Sequence, residues 1–179
     1  MYSLNSLGKP DSYRFLRADY RLGLMATDIS IFELDDARYG LKLADTREVF
    51  RMPQIAPLPK APAVVEGIVN VRGRVVPVFS LRRRFGLPDK PPHPSEHLLL
   101  ASAGARAVAL RADRVIGAAR VDPAAIDALQ AITPAASFFA GVAKLEDGLV
   151  LIHDLATFLR DSEAAELDQA LRDRDMEKQ

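Results

Sequence analysis

Two proline-dense segments, "MPQIAPLPKAP" (Met52–Pro62) and "LPDKPPHPSEH" (Leu87–His97), limit what this chain can fold into more than any other feature. Each proline removes a backbone donor and fixes φ, so both segments read as surface connections rather than strand or helix interior. The sequence between and around them comes in short runs with a period of two. "ISIFEL" and "YGLKLA" flank "DDAR" as the arms of a β-hairpin, and "GRVVPVFSL", "HLLLAS", "RAVALRADRVIGAARV" and "DGLVLIHDL" are runs of the same type. Pieces this short and this regularly interrupted leave no room for the helices of an α/β sandwich, so the chain is read as mainly β.

In "RVVPVFSL", Val76 and Val78 point to one face while Val75, Phe79 and Leu81 point to the other, which predicts a central strand covered on both sides. Pro77 lies inside that strand without an N–H, so one edge must lack a neighbour there or carry a bulge. Ser80 then N-caps a turn of helix with Leu81 and Phe85 four apart and Gly86 as its stop, and Asp154 supplies the same cap before Leu155. Arg82, Arg83 and Arg84 are expected to project mostly outward as a solvated face.

An internal similarity organises these runs. "GIVNVRGRVVPVFSLRRRF" placed over "GVAKLEDGLVLIHDLATFL" aligns Gly67 with Gly141, Val75 with Leu149, Ser80 with Asp154, Leu81 with Leu155 and Phe85 with Leu159 at one constant offset. Upstream, "ARYGLKLAD" from Ala37 lies over "ARAVALRAD" from Ala105 at an offset that differs by six residues. The chain is therefore expected to build one small β unit twice and to pack the copies together.

Composition removes several classes of function. There is no Cys, so disulfides, thiolate zinc sites and cysteine nucleophiles are excluded. Acidic and basic residues balance at 24 each, which gives no overall field for nucleic acid or an anionic membrane. "RGR" and "RRR" are locally basic, yet few aromatics are interleaved with them, so a nucleic-acid module is disfavoured. The only histidines are His93, His97 and His153, and no Ser-His-Asp arrangement, HExxH or glycine-rich phosphate loop accompanies them. No catalytic residue, metal or cofactor is expected. Charges run through the first 30 residues and no segment reaches bilayer-spanning length, so neither a secretory signal nor membrane insertion is expected, and the chain is read as cytoplasmic.

Three segments follow. Residues 1–28 form an extension in which Tyr13, Leu16, Tyr20 and Leu24 have helical spacing; residues 29–161 hold the β core; residues 162–179 form a polar, helix-compatible tail. Leu155, Phe158 and Leu159 should dock on the core. The tail beyond them has only Leu167 and Leu171 as long apolar anchors, so its removal is expected to leave stability nearly unchanged.

The run "GIVNVRGRVVPVFSLRRRFGL" is similar to the signature of CheW-like domains: a glycine, a hydrophobic pair, Asn, an apolar residue and Arg-Gly before a strand and the start of a helix. The resemblance extends from Ile29 to about Leu159, through "YGLKLADTREV" and "GLVLIHDLATFL". It implies two SH3-like five-stranded β-barrels packed together, with short helices and a C-terminal helix. It also implies a non-catalytic adaptor that couples the cytoplasmic tips of methyl-accepting chemoreceptors to the regulatory domain of a CheA-type histidine kinase. Such a protein would be recruited to membrane receptor arrays; the alternative is a CheW-like adaptor of a kinase system controlling development, motility or second messengers. By the same resemblance, Leu43, Thr46, Glu48, Gly67, Asn70, Arg72 and Gly73 are the partner-binding residues, with Arg72 facing Glu48. Two departures stand out: Ser80 replaces the common Asp before Leu-Arg, and Thr46 occupies a commonly apolar receptor-contact position.

Overall fold

The strands follow the period-two runs. β1 (Thr27–Leu34) and β2 (Ala37–Lys42) form the first hairpin, and β3 (Thr46–Arg51), β4 (Val65–Val71), β5 (Arg74–Ser80) and the five-residue helix α1 (Leu81–Phe85) come next. β6 (His97–Ala103), β7 (Arg106–Ala112), β8 (Arg114–Val121), the two-residue β9 (Ile126–Asp127), β10 (Phe139–Leu145), β11 (Gly148–His153) and helix α2 (Asp161–Met176) complete the order. The computed structural model describes residues 27–127, 138–146 and 148–176. The helix expected around Tyr13 to Leu24 lies outside the described residues. β1 opens at Thr27, two residues ahead of the expected start of the core.

Two sheets form, one ordered β8-β1-β2-β11-β10-β9 and the other β3-β6-β7-β5-β4. In each, two antiparallel hairpins join through a parallel pairing, β2 with β11 in the first sheet and β5 with β7 in the second. Neither hydrogen-bonded ladder closes on itself; the chain crosses each seam instead. β8 turns through Pro123–Ala125 into β9, which pairs with β10 on the opposite edge. Beyond β3, Ala56 bridges to Ile68 of β4. The first sheet therefore has six strands where five were expected.

The duplication is present, but its copies are exchanged. In chain order the units are β1-β2-β3-β4-β5 and β6-β7-β8-β10-β11, yet β3 pairs with β6 and β8 pairs with β1, so each sheet combines strands of both units. Gly40 stands opposite Ile152 as Ala109 stands opposite Val78. With the second hairpins 74 residues apart, this sets the first hairpins 69 apart, so the alignment of "ARYGLKLAD" with "ARAVALRAD" is one residue out of structural register. Irregularities repeat as well: register shifts fall between Val65 and Gly67 and between Phe139 and Gly141. At both glycines the neighbouring backbone leaves no room, since a Cβ would lie 2.2 Å from the Ala56 carbonyl oxygen at Gly67 and 2.7 Å from that of Asp127 at Gly141.

Three apolar clusters result. Ile29, Ile31, Val121, Ala143, Val150 and Ile152 fill the first barrel, and Val69, Val76, Val78, Leu98 and Ala109 fill the second. The largest cluster lies between the sheets and takes residues from both, among them Phe32, Tyr39, Leu41, Phe79, Leu99 and Leu110. β5 serves two of these cores, as its alternation predicts, although Val75 at its start is 41% exposed. Pro77 fits for a specific reason. Ile68, its partner in β4, exchanges both backbone hydrogen bonds with Ala56, so the Pro77 nitrogen faces away from β4, and pairing with β7 begins only at Val78.

Two expectations need correction. Arg82 and Arg84 do not project into solvent: both are buried, and only Arg83 of the three is exposed. Arg82 reaches from α1 to the β1–β2 turn, giving Asp35 two hydrogen bonds (2.7 and 3.1 Å) and Asp113 one (2.6 Å). Arg84 forms a two-pronged pair with Glu163 (2.7 and 3.1 Å) beneath the ring of Phe158. The tail is not peripheral either. α2 buries Leu167 and Ala170 in the inter-barrel cluster, and three cations of the body, Arg84, Arg106 and Lys60, hold Glu163, Asp168 and Asp173. The proline loop after Leu87 is fixed by Arg111, which is buried beside Glu66 (3.0 Å) and donates to the Lys90 carbonyl (2.7 Å).

Candidate partner interface

The β4–β5 turn shapes one end of the second barrel. Arg72 (φ 51°) and Gly73 (φ 81°) both occupy the left-handed region, the type I′ pattern that matches the twist of flanking strands. Asn70 Oδ1 accepts a hydrogen bond from Gly73 N (2.9 Å), which fixes the turn from its flank. A left-handed arginine costs about 1–2 kcal/mol. The turn lifts its side chain out to 79% exposure, and Arg72 Nη2 donates to Glu48 Oε1 at 2.9 Å. Because β3 and β4 are the two outer strands of this ladder, the pair spans the seam of the barrel.

Glu48 is positioned by a bulge. The β3–β6 register shifts between Thr46 and Glu48, so Arg47 is the extra residue, and its Nε donates to Ser102 Oγ (2.6 Å). Thr46 is half-buried, its hydroxyl 3.5 Å from the Lys42 carbonyl oxygen. Leu43 opens the short 3-10 turn Leu43–Asp45 ahead of β3 and is 39% exposed. Val49, next to Glu48, is equally exposed, and Val75 emerges on the hairpin that carries Arg72. Exposed apolar side chains thus lie on the elements that carry the charged pair, with Val49 on the strand face opposite Glu48.

Of the residues carried over by resemblance, Glu48 and Arg72 are brought together by their ion pair, while Leu43 and Thr46 lie on the turn and the strand start that lead to Glu48. Asn70 and Gly73 belong to the same hairpin and shape its turn. Gly67 does not join them: it is buried, and its task is to let Ala56 approach β4. Val49 and Val75 were missed. Val49 was legible, because in "TREVFR" it shares its parity with Arg47 and Arg51. Val75 was not, because its strand face is otherwise buried.

The duplication does not repeat this site. The counterparts of Arg72 and Glu48 in the first barrel are Glu146 and Gly117, which cannot form such a pair. The caps are repeated: Ser80 Oγ accepts from Arg83 N (3.2 Å) and Asp154 Oδ1 from Ala156 N (2.9 Å). His153 is packed among Phe85, Phe139 and Phe158, and its Nδ1 bonds the Phe138 carbonyl. Burial holds its pKa down to about 4, so the imidazole is neutral near pH 7. Among the described residues no group of three or more His, Asp or Glu is placed to hold a metal ion, and no helix is long and apolar enough to cross a membrane.

Comparison with known proteins points the same way. The family model described as "CheW-like domain" matches residues 28–163. The chain is 38% identical over 56 residues to the chemotaxis protein CheW of Treponema pallidum, a match covering 31% of this chain and 33% of that protein. It is 24% identical over 128 residues to the chemotaxis protein CheW of Thermotoga maritima, covering 72% and 84% respectively. The crystal structure of the scaffolding protein TtCheW from Thermoanaerobacter tengcongensis superimposes with a TM-score of 0.72 at 27% identity, over 78% of this chain and 96% of that one.

Proposed function

The chain belongs to the CheW-like domain family, and from that premise we propose that it is a non-catalytic scaffold of chemotaxis signalling that couples chemoreceptor tips to the regulatory domain of a CheA-type histidine kinase. The observation that carries this reading is the Arg72–Glu48 pair. An exposed ion pair contributes about 0.2–1 kcal/mol to folding. The left-handed backbone that presents Arg72 costs about as much or more. Folding therefore gains little from the arrangement, and its use lies in what it presents: a guanidinium and a carboxylate in fixed register, with Leu43 exposed on the turn that leads into the same strand. Partners recognised there would be held by apolar contact and oriented by charge.

A scaffold of this kind works in the cytoplasm and is drawn to the membrane by the receptors it binds. Its binding needs neither nucleotide nor metal. The test is equilibrium binding of the purified chain to the regulatory domain of the kinase from its own source, without ATP and with chelator present, followed by addition of receptor signalling fragments. Saturable binding that persists in chelator, and a ternary complex with receptor, are expected. Binding that requires ATP or a divalent ion, or receptor and kinase that exclude one another, would overturn the coupling role.

A further inference from the structure

The two proline-dense segments line one open cleft on the second barrel, and the fold fixes each of them. Gly67 leaves room for Ala56 to exchange backbone hydrogen bonds with Ile68 (2.8 and 2.9 Å), which holds Ile55 and Pro57 beside β4. In the second segment Arg111 donates to the Lys90 carbonyl (2.7 Å) and Arg82 to that of Pro88 (3.2 Å), which holds Pro91 and Pro92 in place. The cleft these residues share has a volume of about 490 Å³, with Glu66 and Arg111 also in its lining. Glu66 stands near the start of β4 and Arg72 follows its end, so the cleft and the Arg72–Glu48 seam lie at opposite ends of that strand.

Charge does not call for an ionic occupant. Each charged group in the lining already has a counter-ion: Arg83 holds Asp89 (2.8 Å), Arg111 lies 3.0 Å from Glu66, and Lys90 lies 3.8 Å from Glu96 and 3.7 Å from Asp113. What the lining still offers is apolar and flat. It consists of Ile55, the rings of Pro57, Pro91 and Pro92, and the plane of Arg83, whose edges are taken by Asp89 and by the Ala63 carbonyl (2.9 Å). Proline rings and guanidinium planes are surfaces on which aromatic rings stack. Walls already fixed by the fold add little ordering cost on binding. We propose that the cleft receives a Trp or Tyr side chain presented by a partner protein, an aromatic anchor of the kind that fills pockets in protein interfaces.

The probe is N-acetyltryptophanamide, titrated into the full chain, which has no Trp of its own, so that indole emission reports the probe alone. A saturable blue shift in the millimolar range is expected, with amide NMR shifts at Ile55, Glu66, Lys90 and Arg111. Pro57→Asp, at an exposed position, should weaken binding at least fivefold with the amide spectrum elsewhere unaltered, and Pro92→Ala, also exposed, should weaken it in the same direction. Arg72→Glu should leave it unchanged. Shifts at the same amides from acetate but not from the probe would make this an anion site and overturn the proposal. N-acetylalaninamide binding as tightly as the probe would show that no ring is recognised, and would overturn it too. So would free tryptophan binding at least tenfold more tightly than its blocked amide, which would give the cleft to a small molecule, and so would absence of shifts at the solubility limit of the probe.

Discussion

At the scale of single residues, charge placement separates what folds the chain from what it displays. Arg72 and Glu48 are exposed, so reversing Arg72 to Glu should change stability by less than about 1 kcal/mol while weakening kinase or receptor binding. Adding Glu48→Arg should restore part of the binding. A double-mutant cycle on the affinity checks this, and strict additivity would remove the pair from the recognition site. His153 is the opposite case. Its pKa is held at about 4 in the folded chain and returns to about 6.5 on unfolding. Above pH 6.5 the group is neutral in both states and costs nothing. As pH falls below 6.5 the unfolded chain takes up a proton that the folded chain refuses, and stability drops by on the order of 3 kcal/mol by pH 4. Urea midpoints measured from pH 7 to 4 should fall less steeply for His153→Phe than for the parent, whatever the offset between them, and equal slopes would show that His153 does not titrate as described. Much at this scale was not legible in the sequence. The Arg72–Glu48 partnership came from family resemblance. The burial of Arg82 and Arg84 escaped because their carboxylates, Asp35, Asp113 and Glu163, stand 31 to 79 positions away in sequence, and no local pattern joins them.

At the scale of elements, α2 carries the clearest departure from expectation. Its sequence is polar, with two leucines spaced for one face, and helical propensity alone would leave it loose. The body supplies what the helix lacks: a bare outer barrel face for Leu167 and Ala170, and cations at Lys60, Arg84 and Arg106 for its acidic side chains. Leu167→Ala should cost about 2–5 kcal/mol, the range for a fully buried leucine. Removal of residues 161–176 should lower the thermal midpoint by at least about 5 °C. A midpoint within a degree of the parent in calorimetry would show that the helix is only loosely attached. The strands were legible because a period of two with proline boundaries needs no partner to be recognised. The seat of α2 was not, because it is assembled from β4, β5, β7 and α1 only after the sheets form.

At the scale of the whole molecule, the two units are folded through one another. β8 of the second unit pairs with β1, and β6 of the second unit pairs with β3, so neither half of the chain can complete a sheet alone. Fragments 27–90 and 91–176 should each be largely unfolded by circular dichroism and should regain β-structure when mixed; a stably folded fragment would contradict the exchanged pairing. The repeat itself was visible from Gly67 and Gly141, but the exchange was not, since sequence similarity aligns units without saying which strands pair. The central claim is that this paired-barrel body couples receptor to kinase without chemistry of its own. The most direct test is CheA-type kinase autophosphorylation measured with receptor signalling fragments, with this chain, and with both. A large rise only when both are present is predicted, reduced by Arg72→Glu; full activation by the chain alone, or none with receptors added, would contradict the account.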